Sequence, residues 1–180
     1  MAGIGNCYVA DAAASLANPT AAAVFLKAKG ATTFATFVKI PGGNILSGKT
    51  FLLRASGRAT TGTTSNFLAK IQYSSNITAI TAATAGSNTD VVTLTNRSYA
   101  SITRTWSLEA KCMWDSTSLR LTGQFNGVNL ETSESAATVI TALTAVDLSS
   151  ETTGFVCAAI FGTGNAGNIA YLDDFSLEVL

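Results

Sequence analysis

Trp106-Ser107-Leu108-Glu109-Ala110-Lys111-Cys112-Met113-Trp114 alternates apolar and polar residues without a break. A side-chain period of two belongs to a β-strand with one face in a core and the other in a wetter setting. Both tryptophans are in phase with Leu108 and Cys112, so they read as core residues. Asp115-Ser116-Thr117-Ser118 follows, with the length and polarity of a tight hairpin connection. From Leu119 through Leu121 and Gly123 to Phe125 the alternation resumes against Arg120, Thr122, Gln124 and Asn126. Trp114 and Leu119 therefore start inward rows on neighbouring strands.

The same period extends on both sides. Phe51, Leu53, Ala55 and Gly57 alternate with Leu52, Arg54, Ser56 and Arg58, and Phe67, Ala69, Ile71 and Tyr73 alternate with Leu68, Lys70, Gln72 and Ser74. Phe155 to Phe161 is apolar on both faces, which predicts a strand covered twice or lying under a partner chain. Ile169 to Leu180 reads as a last strand, with Tyr171, Phe175, Leu177 and Val179 in phase. Thr/Ser/Ala-rich stretches at 81–90 and 131–144 read as loops. About eight long strands without an amphipathic helix predict an all-β protein, a jelly-roll-like antiparallel β-sandwich.

Residues 1–48 differ from the sandwich domain at 49–180. Ala12-Ala13-Ala14 and Ala21-Ala22-Ala23 suggest a helical turn or two, interrupted by Asn18-Pro19. Val24-Phe25-Leu26 and Phe34 to Ile40 read as short strands, and Pro41-Gly42-Gly43-Asn44 is a turn signal. The expectation is an N-terminal arm with one or two edge strands. Val24, Phe25, Leu26, Phe34 and Phe37 are more apolar than a free arm should expose, so they are candidate contacts with a partner protein or a second subunit. Arg54 and Arg58 share the polar face of one strand and join that candidate interface, and Arg97 and Arg104 flank another segment; with Glu109, Glu131 and Glu134 as partners these arginines would make inter-subunit ion pairs. The competing reading is a solvated face.

Composition narrows the function. The chain of 180 residues fits one domain and has no histidine. That excludes Ser-His-Asp and Cys-His catalysis and imidazole zinc sites. Formal net charge is zero, whereas nucleic-acid binders carry a basic surplus that neutralises phosphates. Charged residues make up 12%, about half the usual share, and the zero net charge weakens self-repulsion, so close packing of many copies costs little electrostatically. No apolar run approaches the roughly 20 residues of a membrane helix. Cys7, Cys112 and Cys157 are odd in number and far apart, which points to buried hydrophobes rather than a disulfide or zinc framework. The N-terminus lacks the basic region of a signal peptide, so synthesis in a cytoplasm is expected, and Asn76-Ile77-Thr78 and Asn96-Arg97-Ser98 read as chance glycosylation matches.

Two motifs tempt toward chemistry. Gly162-Thr163-Gly164-Asn165-Ala166-Gly167 fits GxGxxG, but a strand follows it where a dinucleotide site needs a helix, so a glycine-rich loop is expected. Asp173-Asp174 is the one adjacent acidic pair; neighbours on a regular strand face opposite ways, so the pair reads as a bulge or turn at the last strand, with a structural calcium site as the rival. No cofactor and no catalytic residue is expected.

Three stretches resemble small jelly-roll structural proteins of tailed bacteriophages: Trp106–Ala110 running into Trp114–Ser118 and Leu121-Thr122-Gly123; Phe161 followed by Gly164–Asn168; and Leu172–Glu178. The loop Thr84–Thr89 is similar too. The resemblance implies a non-enzymatic virion protein, above all a head decoration or cement protein on the capsid surface. Its implied partners are the major capsid protein and further copies of itself as a homotrimer, with neither nucleic acid nor membrane. Tyr171–Leu177 also resembles the last strand of carbohydrate-binding modules. That supplies the alternative, a carbohydrate- or receptor-binding module of a tail fibre or baseplate, which would need exposed aromatics; Tyr99 is the leading candidate.

Overall fold

Alternating strands bury their apolar rows only if two sheets meet face to face. A computed structural model describes residues 7–9, 14–29, 32–35, 37–38, 48–62, 64–79, 87–94, 97–99, 102–122, 126–129, 132–134, 138–139, 143–150 and 152–180. The strands are β1 (Cys7–Val9), β2 (Ala14–Ala17), β3 (Ala23–Val24), β4 (Leu26–Lys29), β5 (Thr32–Ala35), β6 (Phe37–Val38), β7 (Thr50–Thr60), β8 (Ser65–Ser74), β9 (Thr89–Thr93), β10 (Arg97–Tyr99), β11 (Thr103–Trp114), β12 (Ser118–Leu121), β13 (Asn126–Asn129), β14 (Thr132–Glu134), β15 (Thr138–Val139), β16 (Leu143–Thr144), β17 (Gly154–Phe161) and β18 (Ile169–Val179). Among the described residues the only helical element is one 3-10 turn at Ile77–Ala79. Ala14 and Ala23 lie in strands, so the helical turns expected of the alanine runs do not form there. Ala12 and Ala13, like Pro41–Asn44 and Thr84–Gly86, fall outside the described residues.

The larger sheet runs β1-β18-β7-β11-β12-β16, with β2 on β18 and β13 and β14 beyond β11. The smaller runs β15-β9-β8-β17-β3, with β10 on β8 and β6 on β17. A separate hairpin pairs β4 with β5. All these pairings are antiparallel, and the curled sheets form an all-β, jelly-roll-like sandwich. The chain passes from one sheet to the other at 61–64 and again at 162–168. The stretch 131–144, expected as a loop, carries short edge strands at 132–134, 138–139 and 143–144.

Phe51, Leu53, Ala55 and Ala59 of β7, Trp106 to Trp114 of β11 at every second position, and Phe67, Ala69 and Ile71 of β8 face one core. Aromatic pairs fill it between the sheets. Trp106 lies between Phe25 and Phe67, at ring-centre distances of 6.3 and 6.2 Å, and Phe67 leads on to Phe161 at 5.2 Å. Toward the other end Phe155 meets Phe51 at 5.8 Å and Tyr73 at 6.2 Å. Each such pair adds specific geometry to the area it buries.

β17 is buried on both faces, as its sequence predicts. Its second face forms a small cluster of Val156 and Ala158 with Val24 and the half-buried Ala22. A neighbouring strand of the same chain thus contributes to that cover.

The described part of residues 1–48 supplies strands at the sheet edges. β1 and β2 lie along β18, and β3 and β6 lie along β17. Val24 and Phe25 are fully buried in the chain's own interior, which removes them from any exposed contact surface. Leu26 and Phe34 lie in the β4–β5 hairpin, and Phe37 of β6 pairs with Val156.

Candidate functional site

The outer row of β7 reads Arg54, Ser56, Arg58, Thr60 because the inner row is Leu53, Ala55, Gly57, Ala59. β11 sets Thr103, Thr105, Ser107 and Glu109 directly opposite those four outer residues. β18 approaches β7 from the other side in register from Ile169 to Leu172, then slips between Leu172 and Asp174. The slip is a bulge, and it resolves the acidic pair. One extra residue sends both Asp173 and Asp174 to the exposed side and returns Phe175 to the core. It also reverses the phase expected for Tyr171, which lies on the outer face while Leu172 takes the inner place.

This arrangement determines what the two arginines do. Arg54 donates from Nε to Glu109 Oε2 at 2.8 Å and from Nη1 to Glu178 Oε2 at 3.2 Å. Arg58 grips Asp173 with two bonds, Nε to Oδ2 at 2.9 Å and Nη2 to Oδ1 at 3.0 Å. Its guanidinium carbon stands 4.9 Å above the Tyr171 ring. The hydrogen bond to Asp173, then its charge, push the Arg58 pKa further up. The inter-subunit pairs expected of these arginines are therefore corrected to pairs within the chain. Glu109 is the partner as anticipated, Glu178 and Asp173 were not foreseen, and the side chains of Glu131 and Glu134 lie outside the described residues.

Between these groups the outer face dips into a pocket of about 360 Å³. Trp106 points its ring into the core and Gly57 has no side chain, so both line the pocket with backbone. Ser56, Thr105, Ser107 and Val128 surround it, and Arg58 and Asp173 complete the wall. The face as a whole was legible from the period of two. Its assembly into a pocket was not, because it depends on the β7–β11 register and on the β18 bulge.

Other sequence candidates take structural places. Trp106 is 1% exposed and Trp114 5%, and Trp114 Nε1 donates to the Val146 carbonyl at 2.9 Å. Burial pushes the Cys112 thiol up to about 12 and raises Cys157 as well, so neither is a thiolate at neutral pH. The Gly162–Gly167 stretch is the loop between β17 and β18, knotted by asparagines. Buried Asn168 accepts from the Gly62 amide at 2.9 Å and donates to the Thr163 carbonyl at 2.8 Å. Asn18 Oδ1 accepts from the Asn165 amide at 2.7 Å, and the Pro19 carbonyl accepts from the Phe161 amide at 2.7 Å. These bonds tie three loops together and give the glycines a fold-making role. The side chain of Tyr99 lies outside the described residues.

Comparison of the chain with protein-family models, with curated proteins and with solved structures finds no match.

Proposed function

We propose that this chain is a non-enzymatic structural protein of a bacteriophage virion, a head decoration protein that binds and stabilises the capsid shell. The observation that carries the reading is the outer face of the larger sheet. Long neighbouring strands hold Arg54 with Glu109 and Glu178, and Arg58 with Asp173, in cross-strand pairs above an aromatic core. Such a face is stiff, polar and internally compensated, properties suited to repeated contact with a lattice of identical subunits. A protein that binds only the assembled shell stabilises it by mass action against internal pressure. The resemblance in Trp106–Ser118 and Leu172–Glu178 supports the same reading. Self-association as a homotrimer belongs to it, matching three-fold positions on a shell.

The test is electron microscopy of the purified protein mixed with undecorated capsids from its source. Density at regular capsid positions is expected, and analytical ultracentrifugation of the free protein should give the mass of three chains. Bare capsids at saturating protein would overturn the decoration role. The glycan-binding alternative loses its aromatic platform at both tryptophans, because both rings lie in the core.

A further inference from the structure

We propose that the pocket between β7, β11 and the β18 bulge binds a single neutral saccharide unit, through hydroxyl chemistry rather than aromatic stacking. This goes beyond the decoration reading and stands without it.

Three observations point to that ligand class. The first is uncommitted polar groups. Among the described residues Ser56, Thr105 and Ser107 hydroxyls make no hydrogen bond, and Arg58 bonds Asp173 through Nε and Nη2 with no bond from Nη1. On the same face Thr60 and Thr103 bond each other at 2.8 Å, and Arg54 holds two carboxylates. The uncommitted groups converge where the surface is concave.

The second is charge. The ionised groups lining the pocket are Arg58 and Asp173, and they neutralise each other in a two-bond pair. An anion would have to compete with Asp173 for the guanidinium, and a cation would have to compete with Arg58. A neutral ligand meets neither obstacle. Vicinal hydroxyls both donate and accept, so they can bridge an acceptor-only carboxylate and a donor-only guanidinium without breaking that pair.

The third is size and lining. About 360 Å³ sits at the small end of ligand pockets, which suits one sugar ring rather than a long chain. Val128 offers an apolar wall for ring C–H groups. Tyr171 does not line the pocket, and Arg58 sits over one face of its ring, so recognition there does not use stacking on Tyr171.

The test is a ¹H–¹⁵N NMR titration of the full chain with methyl glycosides of glucose, galactose, mannose and N-acetylglucosamine, and with glucose 6-phosphate. At least one neutral glycoside should give saturable shifts confined to residues 56–58, 105–107, 128 and 171–174. Asp173→Ala should weaken that binding at least tenfold, and Ser107→Ala severalfold. Thr60→Ala, on the same strand but outside the pocket, should leave it unchanged. Spectra of each variant show whether the fold is kept, and Ser107→Ala keeps the test decisive if Asp173→Ala disturbs the bulge. No saturable shift with any neutral glycoside would overturn the proposal, as would saturation by the phosphate alone or equal binding by Asp173→Ala and the parent chain. Each result can be read whether or not the protein decorates capsids.

Discussion

Gly57 sits opposite Trp106 in the β7–β11 register and beside the β18 bulge. A Cβ there would collide with the Tyr171 carbonyl oxygen and come within 2.8 Å of Trp106 Cζ2. The missing side chain thus makes room for the largest ring in the core. Gly57→Ala should lower stability by about 1–3 kcal/mol, read as a fall in urea midpoint. The two buried thiols give a second residue-scale expectation. Their ordinary pKa is 9.0, and burial raises the folded value of Cys112 to about 12 and that of Cys157 in the same direction. Above pH 9 the unfolded chain releases these protons while the folded chain holds them. Stability is therefore full below that pH and falls as pH rises toward the folded values, by at most about 1.4 kcal/mol per pH unit for each thiol. Urea midpoints measured between about pH 8 and about pH 10.5 should fall more steeply for the parent chain than for the Cys112→Ala/Cys157→Ala double variant.

At the scale of elements, the β11–β12 hairpin shows how a short connection is held. The Asp115 carboxylate accepts from the Ser118 amide at 2.7 Å and from the Thr117 amide at 3.3 Å. These bonds, the Ser118 one foremost, hold its pKa below the ordinary 3.8, with Arg120 adding its charge. The Ser149 hydroxyl and amide lower Asp147 in the same way. Both contributions are present above the ordinary carboxylate pKa and are lost as pH falls through the lower folded values. Amide protection factors at Thr117, Ser118 and Ser149, referred to the intrinsic exchange rate at each pH, should fall in acid before those of the core strands. Ser116 adopts φ +78°, which costs a residue with a side chain. Ser116→Gly should raise the thermal midpoint, by about 0.5–1 kcal/mol in stability. The loop knot makes the opposite case. Asn168→Ala removes the side-chain bond to the Gly62 amide and one of the two donors to the Thr163 carbonyl, which keeps the Ser65 hydroxyl, and should cost about 1–3 kcal/mol in chemical denaturation.

Over the whole molecule, the first strands close sheet edges. β1 and β2 cover the outer side of β18, the Asn18 amide bonds the Asn168 carbonyl, and Ala14 enters the core. Removing residues 1–20 strips that cover and leaves β18 as an open edge, a template for pairing with other chains. The truncated chain should unfold at lower urea concentration and scatter more light than the parent. A free arm would leave both readings unchanged. That reasoning also moves the candidate contact surface away from Val24 and Phe25, which are interior, and toward the outer face that carries Arg54 and Arg58.

The sequence by itself determined the class of fold and the identity of the faces. Period-two alternation in 51–58 and 106–114 assigns each side chain to the core or the outer face, because a strand leaves no other choice once one face is dry; in 67–74 it places the core row, but Gln72 and Ser74, expected on the wetter face, are buried as well. It also placed the hairpin at Asp115–Ser118 and the two-sided burial of Phe155–Phe161. The tertiary structure alone decided which strands are neighbours and in what register. Those pairings join residues far apart in the chain, and local pattern carries no information about them. Arg58 meets Asp173 rather than a partner subunit because β18 lies beside β7 and bulges at Leu172–Asp174. Val24 and Phe25 are core residues because β3 closes the edge of β17. Ser56, Thr105 and Ser107 form one pocket because β7 and β11 pair in a single register, and a shift of one residue would have turned that entire row inward.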